Sequence, residues 1–184
     1  MKTNLAILLA AGVLALAGCS STPTKVDTGT IRARTFNFVD ASNRPVPKDT
    51  DNRQAIHAMI QAAITKNLAA RGVEKVPAGG DVTVAYLVIV GNNVVTTAVE
   101  DYFGYGRDAN ALLDKAHSSS KRTGNPNAFE AGTLVIDIIS AKDFKLLKRA
   151  YATRSILRNL PTDERAARIQ EVVDVVLRDA RFSP

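Results

Sequence analysis

The chain of 184 residues contains one cysteine, two histidines and no tryptophan. A single thiol cannot form an internal disulfide bond, so the stability of the chain has to come from a buried core. Hydrophobic residues make up 46% and charged residues 23%. These shares are close to those of globular domains and disfavour a disordered chain, a collagen-like repeat or a protein with many membrane spans. The length suits one domain of about 150 residues with a short extra segment.

The sequence also lacks the motifs of common hydrolase, nucleotide-binding and metal-binding sites. It contains no H-E-x-x-H, G-x-S-x-G, Walker or EF-hand pattern. His57 follows Ile56 on a predicted helix whose apolar face is already formed by other residues, so we expect His57 at the boundary of the core or exposed. His117 lies between Asp114 and Ser118 in a serine-rich loop, which does not hold a catalytic triad in place. We therefore expect no metal and no cofactor.

Residues 1–18 have the layout of a secretory signal peptide, with Lys2 before an apolar stretch over residues 5–16. This stretch is too short for a membrane span, which takes about 20 residues. The sequence L-A-G-C at residues 16–19 resembles the lipobox of bacterial lipoproteins, in which Cys19 would be acylated before cleavage on its amino side. The alternative is cleavage after A-L-A at residues 15–17 by the ordinary signal peptidase, which would release a soluble chain.

The lipobox resemblance implies a membrane anchor at Cys19. Several acyl chains hold a protein on a bilayer essentially permanently, whereas one chain holds it weakly. An aspartate after the cysteine favours the inner membrane in this class. Ser20 stands there instead, so the resemblance implies the periplasmic side of the outer membrane. We expect residues 19–30 to form a flexible tether and residues 31–184 to form a single periplasmic domain.

Hydrophobic periodicity predicts two helices and four strands. Their order is strand, helix, strand, insertion, hairpin and helix. This order predicts an α+β fold, in which two helices pack on one face of a mixed or antiparallel sheet of about four strands. The predicted elements are a bulged strand over 31–38, a helix over 52–71 that stops at Gly72, a strand over 81–90, an irregular insertion over 91–127, hairpin strands over 129–139 and 145–154, and a helix over 162–181.

The predicted hairpin carries F-E-A-G-T-L-V-I-D-I over residues 129–138 and L-L-K-R over residues 146–149. Together with the early aromatic pair Phe36 and Phe38 and the valine-rich strand, this pattern resembles the bacterial lipoprotein family called domain of unknown function 4136. Lys148 stands where the family usually has a tryptophan. The family has no assigned activity, so the resemblance implies a fold and an envelope location but no reaction.

Asp137 lies between two isoleucines in the first strand of this hairpin. A carboxylate on a covered face needs a partner, and Lys148 or Arg149 is roughly opposite on the second strand. We interpret the group as a cross-strand ion pair that determines the register of the hairpin. The alternative is a catalytic or binding carboxylate.

The long insertion contains a cluster of aromatic residues separated by glycines. Tyr102, Phe103 and Tyr105 are three of only ten aromatic residues in the chain, and Arg107 follows them. Tyrosine and arginine in an adaptable loop are typical of recognition surfaces, so this is a candidate binding loop. The alternative is that the rings seal the core beneath the insertion.

Lysine and arginine outnumber aspartate and glutamate by 24 to 18, a net charge of +6. A periplasmic protein meets no nucleic acid, so the expected partners are the membrane, through the lipid anchor, and an envelope protein or cell-wall polymer. We expect a non-enzymatic binding or accessory module. The alternatives are an enzyme that acts on envelope polymers through Asp137, Glu100 or Asp101, and a structural stress lipoprotein without a specific ligand. The basic residues that crowd the last third are Lys142, Lys145, Lys148, Arg149, Arg154, Arg158, Arg165 and Arg168.

Overall fold

The computed structural model describes residues 25–39, 51–91, 102–103, 131–155 and 160–184. Within these ranges the chain forms nine strands and two helices. They are β1 (Val26–Asp27), β2 (Ile31–Arg32), β3 (Thr35–Phe38), α1 (Asp51–Ala69), β4 (Glu74–Lys75), β5 (Val82–Gly91), β6 (Tyr102–Phe103), β7 (Ala131–Ser140), β8 (Leu146–Ser155), α2 (Thr162–Val176) and β9 (Phe182–Ser183).

Seven of the strands in the described ranges form one mixed sheet in the order β1-β8-β7-β5-β3-β4, with β6 also paired to β5. The strands β5, β7 and β8 pair antiparallel, whereas β3 is parallel to both β4 and β5. The α+β prediction is confirmed, but the sheet has more strands than the four expected. Three of the added strands, β1, β4 and β6, have two residues each, which is too short to leave a hydrophobic pattern in the sequence.

Both helices pack on one face of this sheet, as the sequence predicts. The apolar stripes of α1 and α2 meet alternate residues of β5 and β7, which point to the same side of the sheet. No helix in the described part of the chain is long and apolar enough to cross a membrane. The main core residues are Ile60, Ala63, Ile64 and Leu68 of α1, Val173 and Val176 of α2 with the following Leu177, and Val82, Val84, Tyr86, Leu134, Ile136 and Ile138 of the sheet.

Helix α1 ends as the sequence predicts, at a glycine cap. Gly72 has a φ of 78°, a left-handed conformation that glycine adopts at little cost. Its N–H donates to the carbonyl of Ala69, and the N–H of Val73 donates to the carbonyl of Leu68, both at 3.0 Å. These two bonds form a Schellman cap. Val73 is fully buried against the core.

The single bulged strand predicted over 31–38 is two strands in different sheets. β2 pairs with β9 in a separate two-stranded parallel sheet, and β3 enters the main sheet. The Asp81 carboxylate lies at the break and accepts hydrogen bonds from the backbone N–H groups of Arg34 and Thr35, at 2.8 and 3.0 Å. A side chain therefore satisfies the backbone donors at the point where the chain changes sheets.

The sheet begins earlier than the sequence predicts, inside the segment expected to be a flexible tether. Val26 and Asp27 pair with Arg149 and Lys148 of β8. The backbone N–H and the hydroxyl of Thr28 both donate to the carbonyl of Leu147, at 3.0 Å each. Residues 26–28 are therefore part of the folded domain, because these hydrogen bonds occupy the edge of β8.

Helix α2 is shorter than predicted and ends at Val176 rather than near residue 181. The N-cap residue is Pro161, and no side chain makes a hydrogen bond at this cap. After α2 the chain turns, and Arg71 Nη1 donates to the carbonyl of Ala180 at 2.6 Å. This turn brings β9 alongside β2, so tertiary contacts end the helix before its apolar pattern stops.

Candidate functional site

The sheet face opposite the helices contains a buried charged pair in apolar surroundings. Side chains alternate along each strand, so the residues between those of the helix-facing core point to this second face. Ala85, Leu87, Val135 and Ile139 lie there, and none of them is more than 4% exposed. Asp137 lies in the middle of this group. A charge without a partner is costly among buried apolar side chains, so the groups that bind Asp137 determine which chemical role its carboxylate can have.

Arg149 of β8 is a partner of Asp137. It is directly opposite Asp137 in the register of β7 and β8. Its Nε donates to Oδ1 at 2.7 Å and its Nη2 donates to Oδ2 at 2.6 Å. The two side chains are 1% and 2% exposed. Both carboxylate oxygens accept bonds from one guanidinium, which is the bidentate geometry of a charge-assisted ion pair.

Lys148, the other basic residue considered opposite Asp137, is on the helix-facing side of the sheet. Its Nζ donates to Asp27 Oδ2 at 2.9 Å and to the carbonyl of Asp179 at 3.3 Å. Its hydrogen bond to Asp27 is the largest contribution that lowers the pKa of that carboxyl. Lys148 is 5% exposed, so both it and Arg149 are buried, whereas a run of basic residues is usually solvated.

The first two residues of the candidate binding loop form a short strand of the main sheet. Tyr102 and Phe103 form β6, and their register partners on β5 are Leu87 and Tyr86. β5 pairs with β7 along its other edge, where Ala85 pairs with Asp137. One strand, β5, therefore separates β6 from the strand that carries Asp137. Other residues singled out from the sequence lie outside the described ranges, namely Cys19, Glu100, Asp101, Tyr105, Arg107, Asp114, His117 and Ser118.

A polar cluster on the helix-facing side was not predicted from the sequence. His57 Nδ1 lies 3.2 Å from the Tyr86 hydroxyl, and Gln61 Nε2 donates to the same hydroxyl at 3.2 Å. Burial raises the pKa of Tyr86 to about 12. His57 is half-buried, at the boundary of the core, which is one of the two positions expected from the sequence. The spacing of four residues between His57 and Gln61 places both on one side of α1, which is the signal that could have indicated a shared partner.

The β7–β8 hairpin tip contains an aromatic residue that sequence reasoning also missed. Phe144 has a φ of 57°, and it is 65% exposed. Its N–H donates to the Ser140 carbonyl at 3.0 Å, and the Ser140 N–H donates to the Lys145 carbonyl at 2.9 Å, which closes a four-residue loop. A left-handed conformation costs a residue with a Cβ about 1–2 kcal/mol. Burial of the Phe144 side chain offsets little of this cost, because most of the side chain is exposed to water.

The described residues do not group in the way that a metal site requires. Within those ranges, no three His, Cys, Asp or Glu side chains are close enough to hold a metal ion. The buried cations of this part of the chain instead bind carboxylates, Arg149 the buried Asp137 and Lys148 the exposed Asp27. These contacts stabilise the fold.

Similarity to solved structures is distant. A PDZ domain protein from Parabacteroides distasonis is 13% identical with a TM-score of 0.45, and the match covers 78% of this chain and 32% of that one. The chain thus spans about a third of that protein's length. A PelC dodecamer from Paraburkholderia phytofirmans is 11% identical with a TM-score of 0.44, over 85% of this chain and 95% of that one. A second crystal form of PelC gives a TM-score of 0.43 at 11% identity, over 85% and 96%.

No curated protein matches the sequence. The family described as Domain of unknown function (DUF4136) matches residues 24–179. This span runs from before β1 to beyond the end of α2 and includes the hairpin that carries Asp137 and Arg149. Because the match covers most of the chain and all of its main elements, the protein belongs to the DUF4136 family.

Proposed function

We propose that this protein is a lipoprotein held at Cys19 on the periplasmic side of the outer membrane, with an α+β domain that binds another envelope component. The observation that carries the anchor is the sequence L-A-G-C at residues 16–19, which contains the only cysteine of the chain. Ser20, rather than an aspartate, favours the outer membrane over the inner membrane.

The position of β1 supports a short connection between the anchor and the domain. Val26 is part of the sheet. The folded domain therefore begins seven residues after Cys19. Seven extended residues span at most about 24 Å. The domain is therefore kept near the bilayer surface, where its neighbours are the membrane, the cell wall and other envelope proteins.

Two features support a binding role over catalysis. The Asp137 carboxylate, one of the candidates for an enzymatic role, accepts hydrogen bonds from Nε and Nη2 of Arg149 and is buried. The aromatic loop begins at β6, which places Tyr102 and Phe103 at defined positions on the sheet. An enzyme acting through Glu100 or Asp101 and a structural lipoprotein without a ligand are the alternatives that the experiments below distinguish.

Metabolic labelling with a clickable palmitate analogue tests the anchor. We expect the parent chain to be labelled and to fractionate with the outer membrane, Cys19→Ser to lose the label, and Ser20→Asp to keep the label but move to the inner membrane. Mass spectrometry of the mature N-terminus gives the decisive result. A chain that starts at Gly18 with an unmodified thiol would show cleavage by the ordinary signal peptidase and would refute the anchor.

Photo-crosslinking in intact cells tests the binding role. A photoreactive amino acid is placed at Tyr102 or Tyr105, with exposed Glu171 of α2 as the matched control position. Adducts to one discrete envelope protein from the loop positions, and not from Glu171, would support a binding module. Adducts to glycan would favour a cell-wall role, and equal background at all three positions would favour a structural lipoprotein.

A further inference from the structure

The tip of the β7–β8 hairpin, residues 141–145, presents a phenylalanine to water between two lysines. Phe144 is 65% exposed, and Lys142 and Lys145 are also exposed. Among the residues whose side-chain exposure the structure describes, Tyr151 is the other exposed large hydrophobic residue, at 42%. The ring of Tyr151 has a cation beside it, because Lys25 Nζ lies 5.5 Å from its centroid. Phe144 is therefore more exposed than Tyr151, and its ring has no such cation contact among these residues.

The backbone of Phe144 is a second and independent observation. This residue occupies the last position of the loop in a left-handed conformation, with a φ of 57°. Glycine and asparagine adopt this conformation more easily than phenylalanine does. A phenylalanine here neither relaxes the backbone nor fills the core. Its side chain therefore adds little to the stability of the hairpin and is available for a contact with another surface.

The size and charge of the tip indicate what that contact is. One phenylalanine buries about 150–250 Å², far less than the roughly 800 Å² that each partner contributes to a standard protein interface. A bilayer, in contrast, deforms around a single aromatic side chain. The two lysines outnumber Asp143, whose carboxylate accepts a hydrogen bond from the backbone N–H of Lys145. The tip is therefore positively charged, which suits an anionic lipid surface.

We propose that this tip docks on the anionic phospholipid bilayer that holds the lipid anchor. Phe144 enters the headgroup region, and Lys142 and Lys145 bind lipid phosphates. The inference rests on the proposed anchor and adds a second membrane contact to it. Such a contact needs little intrinsic affinity, because the tether gives the tip a high effective concentration at the bilayer.

The anchor and the tip can reach the same bilayer. Val26 pairs with Arg149 and Asp27 with Lys148, so the chain before Val26 leads away from the tip, and Lys25 lies toward Tyr151. Lys25 is thus about six residues from Phe144 along β8, or about 20 Å at about 3.3 Å per residue. The six residues from Cys19 to Lys25 reach up to about 22 Å. A tether that turns back beside β8 therefore just reaches the tip, and the anchor and the tip can lie on the same bilayer.

Tryptophan fluorescence tests this inference, because the chain contains no tryptophan and Phe144→Trp is a site-specific reporter. The full lipidated chain is inserted into vesicles of phosphatidylethanolamine and phosphatidylglycerol that contain brominated lipid. We expect blue-shifted and quenched emission from Phe144→Trp. The matched control, Tyr151→Trp on the same strand pair, is expected to stay unquenched. Thermal unfolding of each variant shows that it is folded.

Lysine variants test the charge. In the lipidated chain with Phe144→Trp, we expect Lys142→Gln and Lys145→Gln each to lower the ratio of docked to undocked tip on anionic vesicles by about fivefold, as measured by quenching. In phosphatidylcholine vesicles the quenching should be weaker and should not respond to the lysine changes. Equal quenching in both kinds of vesicle, or quenching that does not change when the lysines are replaced, would overturn the inference.

Flotation of the vesicles separates this inference from the proposed anchor. A lipidated chain that floats with the vesicles but whose tryptophan at position 144 is unquenched keeps the anchor and overturns docking of the tip. A reporter that is shielded only when another envelope protein is added would assign the tip to a protein partner and would also overturn it. A chain that does not float at all refutes the anchor, and the inference that rests on it falls with it.

Discussion

Replacing Arg149 with methionine would leave the Asp137 carboxylate in a buried position without its bidentate partner. The side chains of Arg149 and Asp137 are 1% and 2% exposed in the parent protein. Removing one member of a buried ion pair costs about 3–5 kcal/mol, because the remaining charge keeps its desolvation penalty. Domains unfold with about 5–15 kcal/mol in total. At roughly 2–4 °C per kcal/mol for a chain of this size, the melting temperature should fall by about 6–20 °C.

Urea unfolding followed by circular dichroism measures the effect as a change in the free energy of unfolding. Asp137→Asn should also be destabilised, because the guanidinium then loses its ion pair with the Asp137 carboxylate. The double variant Asp137→Leu with Arg149→Met should recover most of the loss, since an apolar pair on this face carries no desolvation penalty. Arg154→Met, at an exposed position of the same strand, is the matched control and should change stability by no more than about 0.5 kcal/mol.

Two results would refute this reasoning. If Arg149→Met stayed within about 1 kcal/mol of the parent, the pair would behave as a solvated surface ion pair. If the double variant were less stable than both single variants, the charges would contribute more than their own desolvation costs. Binding assays on the same variants add a second readout. If the pair has only a structural role, each variant should bind its partner in proportion to the fraction of the protein that is folded.

Three further predictions concern single side chains. The pKa of Tyr86 is raised from 10.0 to about 12. The tyrosine therefore ionises in the unfolded chain first, and the free energy of unfolding should fall between pH 10 and pH 12 by up to about 3 kcal/mol. In urea unfolding, the Tyr86→Phe variant should not show this part of the pH dependence. Phe144→Asn should relieve the left-handed backbone and raise the free energy of unfolding by up to about 1 kcal/mol, and a loss of that size would contradict the assigned turn. Asp81→Ala removes the acceptor for the N–H groups of Arg34 and Thr35 and should cost about 1 kcal/mol near neutral pH. Because those hydrogen bonds lower the pKa of Asp81, its contribution should disappear in the parent as the pH falls below this lowered pKa, so the two chains should converge in acid.

Local chemistry explains which elements were predictable. The apolar spacing of α1 and the continuous apolar run of β5 are properties of neighbouring residues, and the structure has both within two residues of the expected bounds. Gly72 ends α1 because a left-handed residue is needed there, a requirement that is visible in the sequence. Elements whose limits depend on distant residues were not predictable in this way. β1 needs the edge of β8, and the end of α2 depends on the pairing of β9 with β2.

The candidate site shows the same division. The sequence indicates that Asp137 needs a basic partner, because it lies in an apolar strand. It does not distinguish Lys148 from Arg149, because adjacent residues of a strand point to opposite faces and a shift of one residue in register exchanges them. The Asp81 hydrogen bonds and the exposure of Phe144 also follow from contacts across the fold or from the conformation of a whole loop.

By itself, the amino-acid sequence determined the α+β class, the two amphipathic helices, the family resemblance and the need of Asp137 for a cation, because each of these follows from nearby residues or from their pattern. The tertiary structure decided that Arg149 is the residue that binds Asp137, that the sheet has seven strands in the described ranges, and that Phe144 faces water. Register, sheet order and exposure depend on segments far apart in the chain, and only their packing together determines them.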